Sequence, residues 1–125
     1  MAKHFNIQII KEFLRIKDDR IRIKVLVSSG RDGEYHVFIS PTLLVSGYGS
    51  TEEEAKESFK HNMDLFIRDI MALEKQKRNT YLFSLGFQQE KYRRKNFTNI
   101  YADKNNVLET LEPSTRTSAV LEAAF

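Results

Sequence analysis

Three histidines, His4, His36 and His61, are the only imidazoles in this 125-residue chain. None stands at a metal-ligand spacing from another histidine or from a pair of carboxylates. His36 falls within an alternating segment and His61 on the polar side of a helical one, where histidines are commonly structural rather than catalytic. The chain has no cysteine, which removes disulfides, thiolate metal sites and thiol catalysis together. Glu52-Glu53-Glu54 could attract a cation, but a helix start accounts for all three, and the loop oxygens that calcium or magnesium requires are missing. Ser28-Ser29-Gly30 and Gly47-Tyr48-Gly49 are glycine-containing loops without the Lys-Ser/Thr of a phosphate loop, and no glycine-flanked serine elbow occurs. Asp32 and Asp64, with His36 and His61, have no spacing that draws them together. These residues predict no catalytic group, no metal and no cofactor, and so no enzyme.

One charged motif stands out. Lys91-Tyr92-Arg93-Arg94-Lys95 follows Lys75, Lys77 and Arg78, and the aromatics Tyr81, Phe87, Tyr92 and Phe97 interleave it. Cations alternating with rings can hold single-stranded nucleic acid through phosphates and stacked bases. The competing reading is a solvated loop whose cations face an acidic helix. Charge along the chain permits both. Residues 51–74 hold three Lys/Arg against seven Asp/Glu, and residues 75–104 hold eight against two. The whole chain carries only +3, so its basicity is local.

Those residues must be positioned by one domain of ordinary size. The apolar share is 41% and the charged share 30%, a globular composition, with nine Phe, five Tyr and no Trp supplying the aromatics. No apolar run reaches the length of a membrane span, and the N-terminus carries no signal-peptide core. The expectation is a soluble, cytoplasmic protein with no membrane partner.

Ile21 to Val27 alternates apolar and other residues with the period of a strand. Ser28 to Gly33 reads as its turn, and Glu34 to Ser40 as an antiparallel partner with apolar residues on both faces, which predicts an interior strand. Pro41 ends it. Thr42 to Gly49, broken by its glycines, reads as a short strand or a loop returning to the sheet. Ser50 or Thr51 can then cap a helix, paired with Glu53 or Glu54 in a capping box. Ala55, Phe59, Met63, Phe66, Ile67, Ile70 and Met71 form a single stripe, which predicts a helix from about Thr51 to about Glu74 lying across the sheet. Residues 5–17 fit a helix or a strand, with their isoleucines favouring the strand. Thr80 to Leu85 before Gly86 fits a short helix with a glycine cap, and Tyr81 to Phe87 fits a strand equally well. Phe97 to Ala102 reads as a strand and Lys104-Asn105-Asn106 as a turn. Ala119 to Phe125 fits a frayed helix.

The order of these elements carries a resemblance. Asp32-Gly33-Glu34-Tyr35-His36-Val37-Phe38-Ile39-Ser40-Pro41, then Gly47-Tyr48-Gly49-Ser50-Thr51-Glu52-Glu53-Glu54-Ala55, is similar to the HicB antitoxin family over about residues 21–72. The resemblance implies a partial ribonuclease-H-like fold, a non-catalytic protein that neutralises a small ribonuclease toxin, and self-association. Family members often add a C-terminal DNA-binding segment, but the last ~50 residues here carry no helix-turn-helix or ribbon-helix-helix pattern.

The sequence therefore predicts an α+β fold: a small antiparallel sheet, one long amphipathic helix across it and further strands after the helix. A single HicB-like domain would span 1–112 with its core at 21–74, and 113–125 would be a tail. An unpaired sheet edge predicts a homodimer. The expected function is that of an antitoxin or an antitoxin relative. The alternative is a small nucleic-acid-binding protein using residues 75–97, with Lys91, Tyr92, Arg93, Arg94 and Lys95 as the contacts to nucleic acid or partner.

Overall fold

A computed structural model describes residues 9–102 and 117–125. The elements run β1 (Ile9–Lys17), β2 (Arg20–Asp32), β3 (Tyr35–Ser40), β4 (Val45–Gly49), α1 (Glu52–Ala72), α2 (Lys75–Ser84), β5 (Gln88–Gln89), β6 (Asn96–Ala102) and β7 (Thr117–Ala124). All strand pairs are antiparallel, in the order β4-β3-β2-β1-β6-β5, with β7 also paired to β2. The fold is α+β, as expected, with the sheet larger than the sequence suggests.

β2 organises the sheet. Ile21, Ile23 and Val25 are buried on one face with Leu14 and Ile16 of β1, and Leu14 pairs with Ile23 in register. The strand does not turn at Ser28. It continues to Asp32, and only Gly33 and Glu34 form the turn, with Gly33 at φ 63°. Ser28 and Ser29 are held in the strand by ladders to β3 on one edge and β7 on the other. Pairing on both edges outweighs the turn preference of Ser-Ser-Gly. β3 lies inside the sheet between β2 and β4, as its two apolar faces predict.

The edge of β2 opposite β7 is shared by two strands. β1 pairs with Arg20 to Lys24, and β3 with Ser28 to Asp32. The Leu26 amide falls in the gap between them. Glu12, fully buried, fills it: one carboxylate oxygen accepts from Leu26 N–H at 3.0 Å, and the other from Thr42 Oγ1 at 2.6 Å. A buried carboxyl group is tolerated only with such partners.

Gly47 and Gly49 do not break β4; they lie within it, and α1 rests on them. A Cβ on Gly47 would overlap the Phe59 amide, and one on Gly49 would come 2.8 Å from the Ala55 nitrogen. Asn62 Nδ2 donates to the Ser46 carbonyl at 2.7 Å and fixes the helix along the strand. Thr51 is the N-cap, accepting from Glu54 N–H at 3.1 Å, and the Glu54 carboxylate accepts from Ser50 N–H and Oγ. The helix ends at Ala72, two residues before the expected Glu74.

The Ser50 hydroxyl, and then its amide, hold the Glu54 carboxyl below the ordinary glutamate value of 4.5. A lowered folded value means this cap stabilises the fold above the unfolded pKa and is lost as pH falls through the folded one. Melting temperatures followed from about pH 6 to about pH 3 should therefore fall less steeply for Glu54→Gln than for the wild type. Parallel curves would count against the cap.

Beyond α1, the helical reading of Thr80 to Leu85 holds and the strand alternative does not: α2 runs from Lys75 to Ser84, and Gly86 follows at φ 96°. β6 matches its expected span, and β1 resolves residues 9–17 as a strand. The reading of Ala119 to Phe125 as a frayed helix is overturned. This segment lies in β7, which pairs with β2 from Ser29↔Thr117 to Arg22↔Ala124. Ala and Leu are good helix formers, but the open edge of β2 offers a full ladder of partners. The turn expected at Lys104-Asn105-Asn106 lies outside the described residues. Phe87 and Phe97, with α1's Met63 and Ile70 and α2's Leu82, complete a core against the inner face of β1 and β2.

Candidate functional site

β7 changes the inner face of the sheet. α1 packs on β4 and β3, so the floor beyond β2 is left open. An apolar groove of about 510 Å³ lies there, walled by Phe59 and Met63 of α1 and floored by Val27, Phe38, Leu121 and Phe125. Lys56, Lys60 and Asp64 stand on the helix side of the groove. Phe125 is 40% exposed and Val120, on the other face of β7, 49%. Single exposed apolar residues are ordinary; a contiguous groove of this size is the kind of surface that partners cover.

The groove runs beside a free strand edge. Phe125 and Ile21 exchange both backbone hydrogen bonds, at 2.8 and 3.3 Å. In an antiparallel ladder that pairing alternates, so Ala123, Leu121 and Ala119 also bond to β2. The amides and carbonyls of Ala124, Glu122 and Val120 then point away from β2, where no strand pairs with them among the described residues.

The basic stretch singled out in the sequence is an exposed loop between β5 and β6. Lys91, Tyr92, Arg93, Arg94 and Lys95 are all exposed, Tyr92 by 88%, with Lys91 Nζ 5.4 Å from its ring centroid. The loop is pinned through its backbone: the Arg94 carbonyl accepts from Gln89 Nε2, the Lys95 carbonyl from Ile16 N–H and the Arg93 carbonyl from Asn96 N–H. Its side chains remain outward. The interleaving aromatics divide differently from what the sequence suggests. Phe87 and Phe97 are core residues, 1% exposed, and Tyr81 leans on Phe66 at 6.3 Å, which leaves Tyr92 as the open ring. No ion pair joins these cations to the acidic helix among the described residues; Arg22 and Glu122 pair at 3.8 Å elsewhere on the sheet.

His36 sits half-buried on β3 opposite Gly49, and His61 is exposed on α1. Among the described residues no group of three or more His, Asp or Glu is placed to hold a metal ion, and no helix is long and apolar enough to cross a membrane. Comparison with protein-family models, with curated proteins and with solved structures returns no match.

Sequence reasoning missed the groove because its floor depends on β7. A weak signal existed: Ala119, Leu121, Ala123 and Phe125 are apolar at every second position. Glu12 was also legible in part, since it shares the parity of the inward-facing Leu14 and Ile16.

Proposed function

We propose that the chain is a non-catalytic, HicB-like protein-binding module, an antitoxin or an antitoxin relative, that docks a small basic ribonuclease toxin at the groove between α1 and β7. The observation that carries this reading is the groove itself, an apolar recess bounded by a free strand edge. Such an edge recognises a partner through main-chain hydrogen bonds, while the recess accepts alternate side chains. Charge at the groove is mixed, Lys56 and Lys60 beside Asp64, so the apolar recess and the strand edge carry the recognition. The order of sequence motifs supports the family. The same reading implies a cytoplasmic protein.

It also includes a homodimer. β4 ends the sheet at its other edge, and two β4 edges paired across a two-fold would extend the sheet and leave the β7 edge free for the partner. Sedimentation should give a dimer rather than a 14.6 kDa monomer for the wild type. A wild-type monomer at high protein concentration would remove the dimer from the account. The antitoxin role is tested by co-expression with the product of a neighbouring reading frame encoding a small basic ribonuclease. A stable complex and lost nuclease activity are expected. Failure to associate at micromolar concentration would contradict it.

A further inference from the structure

Nine cations, from three segments distant in sequence, converge at one end of the sheet. Beside the β1–β2 turn lies a cavity of about 690 Å³ lined by Arg15, Arg20, Arg22 and, from the β5–β6 loop, Arg93. A smaller one of about 150 Å³ adjoins it, lined by Lys75 and Arg78 of α2 and by Arg94 and Lys95 of the loop. Ile16 and Asp18 line both, so the two recesses share a wall, and the basic loop spans them.

Several features here are unfavourable for the protein alone. Arg15 stands directly opposite Arg22, and Lys17 opposite Arg20, on the exposed face of the β1–β2 ladder. Like charges in directly opposed positions destabilise a sheet. Glu122 meets Arg22 at 3.8 Å; Asp18 and Asp19 line the larger recess without forming an ion pair among the described residues. α2 begins with Lys75, Lys77 and Arg78 and has no acid in its first turn, and its N-cap residue Glu74 makes no side-chain cap bond, so cations crowd the positive end of the helix dipole. Arg78 Nε is buried with no acceptor among the described residues. A bound polyanion would relieve each of these.

We infer that this end of the molecule binds single-stranded nucleic acid, with the sugar-phosphate backbone following the two recesses and a base stacked on Tyr92. Geometry selects a single strand over a duplex. The cations line recesses, which a flexible strand can enter and which a duplex backbone would meet only at the rims. Tyr92, almost fully exposed on the same loop, presents a ring to an unpaired base. Arg15, stacked 4.1 Å from the Phe13 ring centroid, is held on the sheet face where it can meet a phosphate. The site lies on the end and outer face of β1–β2 and meets the α1–β7 groove only at Phe125, which lines both; none of its cations is a groove residue, so the inference is independent of the docking reading.

Fluorescence anisotropy with labelled oligouridylate and oligothymidylate of about fifteen nucleotides, and with a duplex of equal length, tests it. Four neutralised phosphates would give a log–log salt slope of roughly −3 on single strands. Arg15→Gln with Arg22→Gln, and separately Arg78→Gln with Arg94→Gln, should each weaken binding on the order of tenfold and flatten the slope by about two contacts. Tyr92→Ala should weaken binding about tenfold and leave the slope unchanged, because stacking releases no counterions. Arg20→Gln with Arg93→Gln uses exposed positions alone and serves if the Arg78 variant does not fold. The inference is overturned if single strands fail to bind at low salt, if the duplex binds more tightly, or if folded variants bind like the wild type.

Discussion

Gly47→Ala is expected to destabilise the protein by about 3 kcal/mol or more, a large part of the ~5–15 kcal/mol that holds a domain together. The reason is contact between backbones. α1 lies so close to β4 that a methyl group on Gly47 would overlap the Phe59 nitrogen and lie 2.7 Å from the Ser58 carbonyl carbon. These are main-chain atoms, and no rotamer change relieves them. The helix must lift, and lifting it loosens Phe59 and Met63 from the core and from the wall of the groove together. Gly33→Ala is the control: its φ is 63°, and a Cβ added there would meet nothing within 4 Å. Only backbone strain of about 1–2 kcal/mol applies at that position. Urea unfolding of both variants measures the difference, and equal losses would mean that α1 does not rest on β4 in this way.

Glu12→Ala is expected to cost about 2–4 kcal/mol. Its carboxylate occupies the place where β1 has left β2 and β3 has not yet begun to pair. Removing it takes away the acceptor of the Leu26 amide and that of the Thr42 hydroxyl, both inside the protein. Leu26 is 3% exposed, so water cannot readily replace the lost oxygen. Glu12→Gln keeps one carbonyl acceptor and should lose less, while Glu12→Leu fills the volume but satisfies neither donor. The expected order of stability is wild type, then Gln, then Leu and Ala. A Leu variant as stable as the wild type would show that packing, rather than hydrogen bonding, holds the junction.

The local parts of this fold were legible in the sequence because their signals are local. The α1 stripe at spacings of three and four, a cap at Ser50 or Thr51 and the alternation in β2 depend on neighbours within a few residues, whereas the turn read at Ser28 to Gly33 shrinks to Gly33-Glu34 because distant strands pair with Ser28 and Ser29. The glycines of β4 were visible but their purpose was not, since it requires knowing that a helix returns onto that strand. β7 was illegible for a related reason: an Ala-rich segment becomes a strand only because β2, about ninety residues earlier, has an edge left to pair. The groove inherits that obscurity. So does the basic end, where the run 91–95 could be read directly but its meeting with Arg15, Arg22 and Arg78 could not.

The central claim is that the α1–β7 groove is where a partner docks. Hydrogen–deuterium exchange on the chain alone and on its complex with the neighbouring-frame ribonuclease tests it most directly. The free-edge amides of Val120, Glu122 and Ala124 exchange with solvent in an unpaired strand and become protected when a partner pairs with or covers them. The account predicts added protection along β7 and along the Lys56–Asp64 flank of α1, above any protection that the homodimer alone confers. A stable complex that leaves those segments exchanging as they do without the ribonuclease, and protects the chain elsewhere, would contradict it.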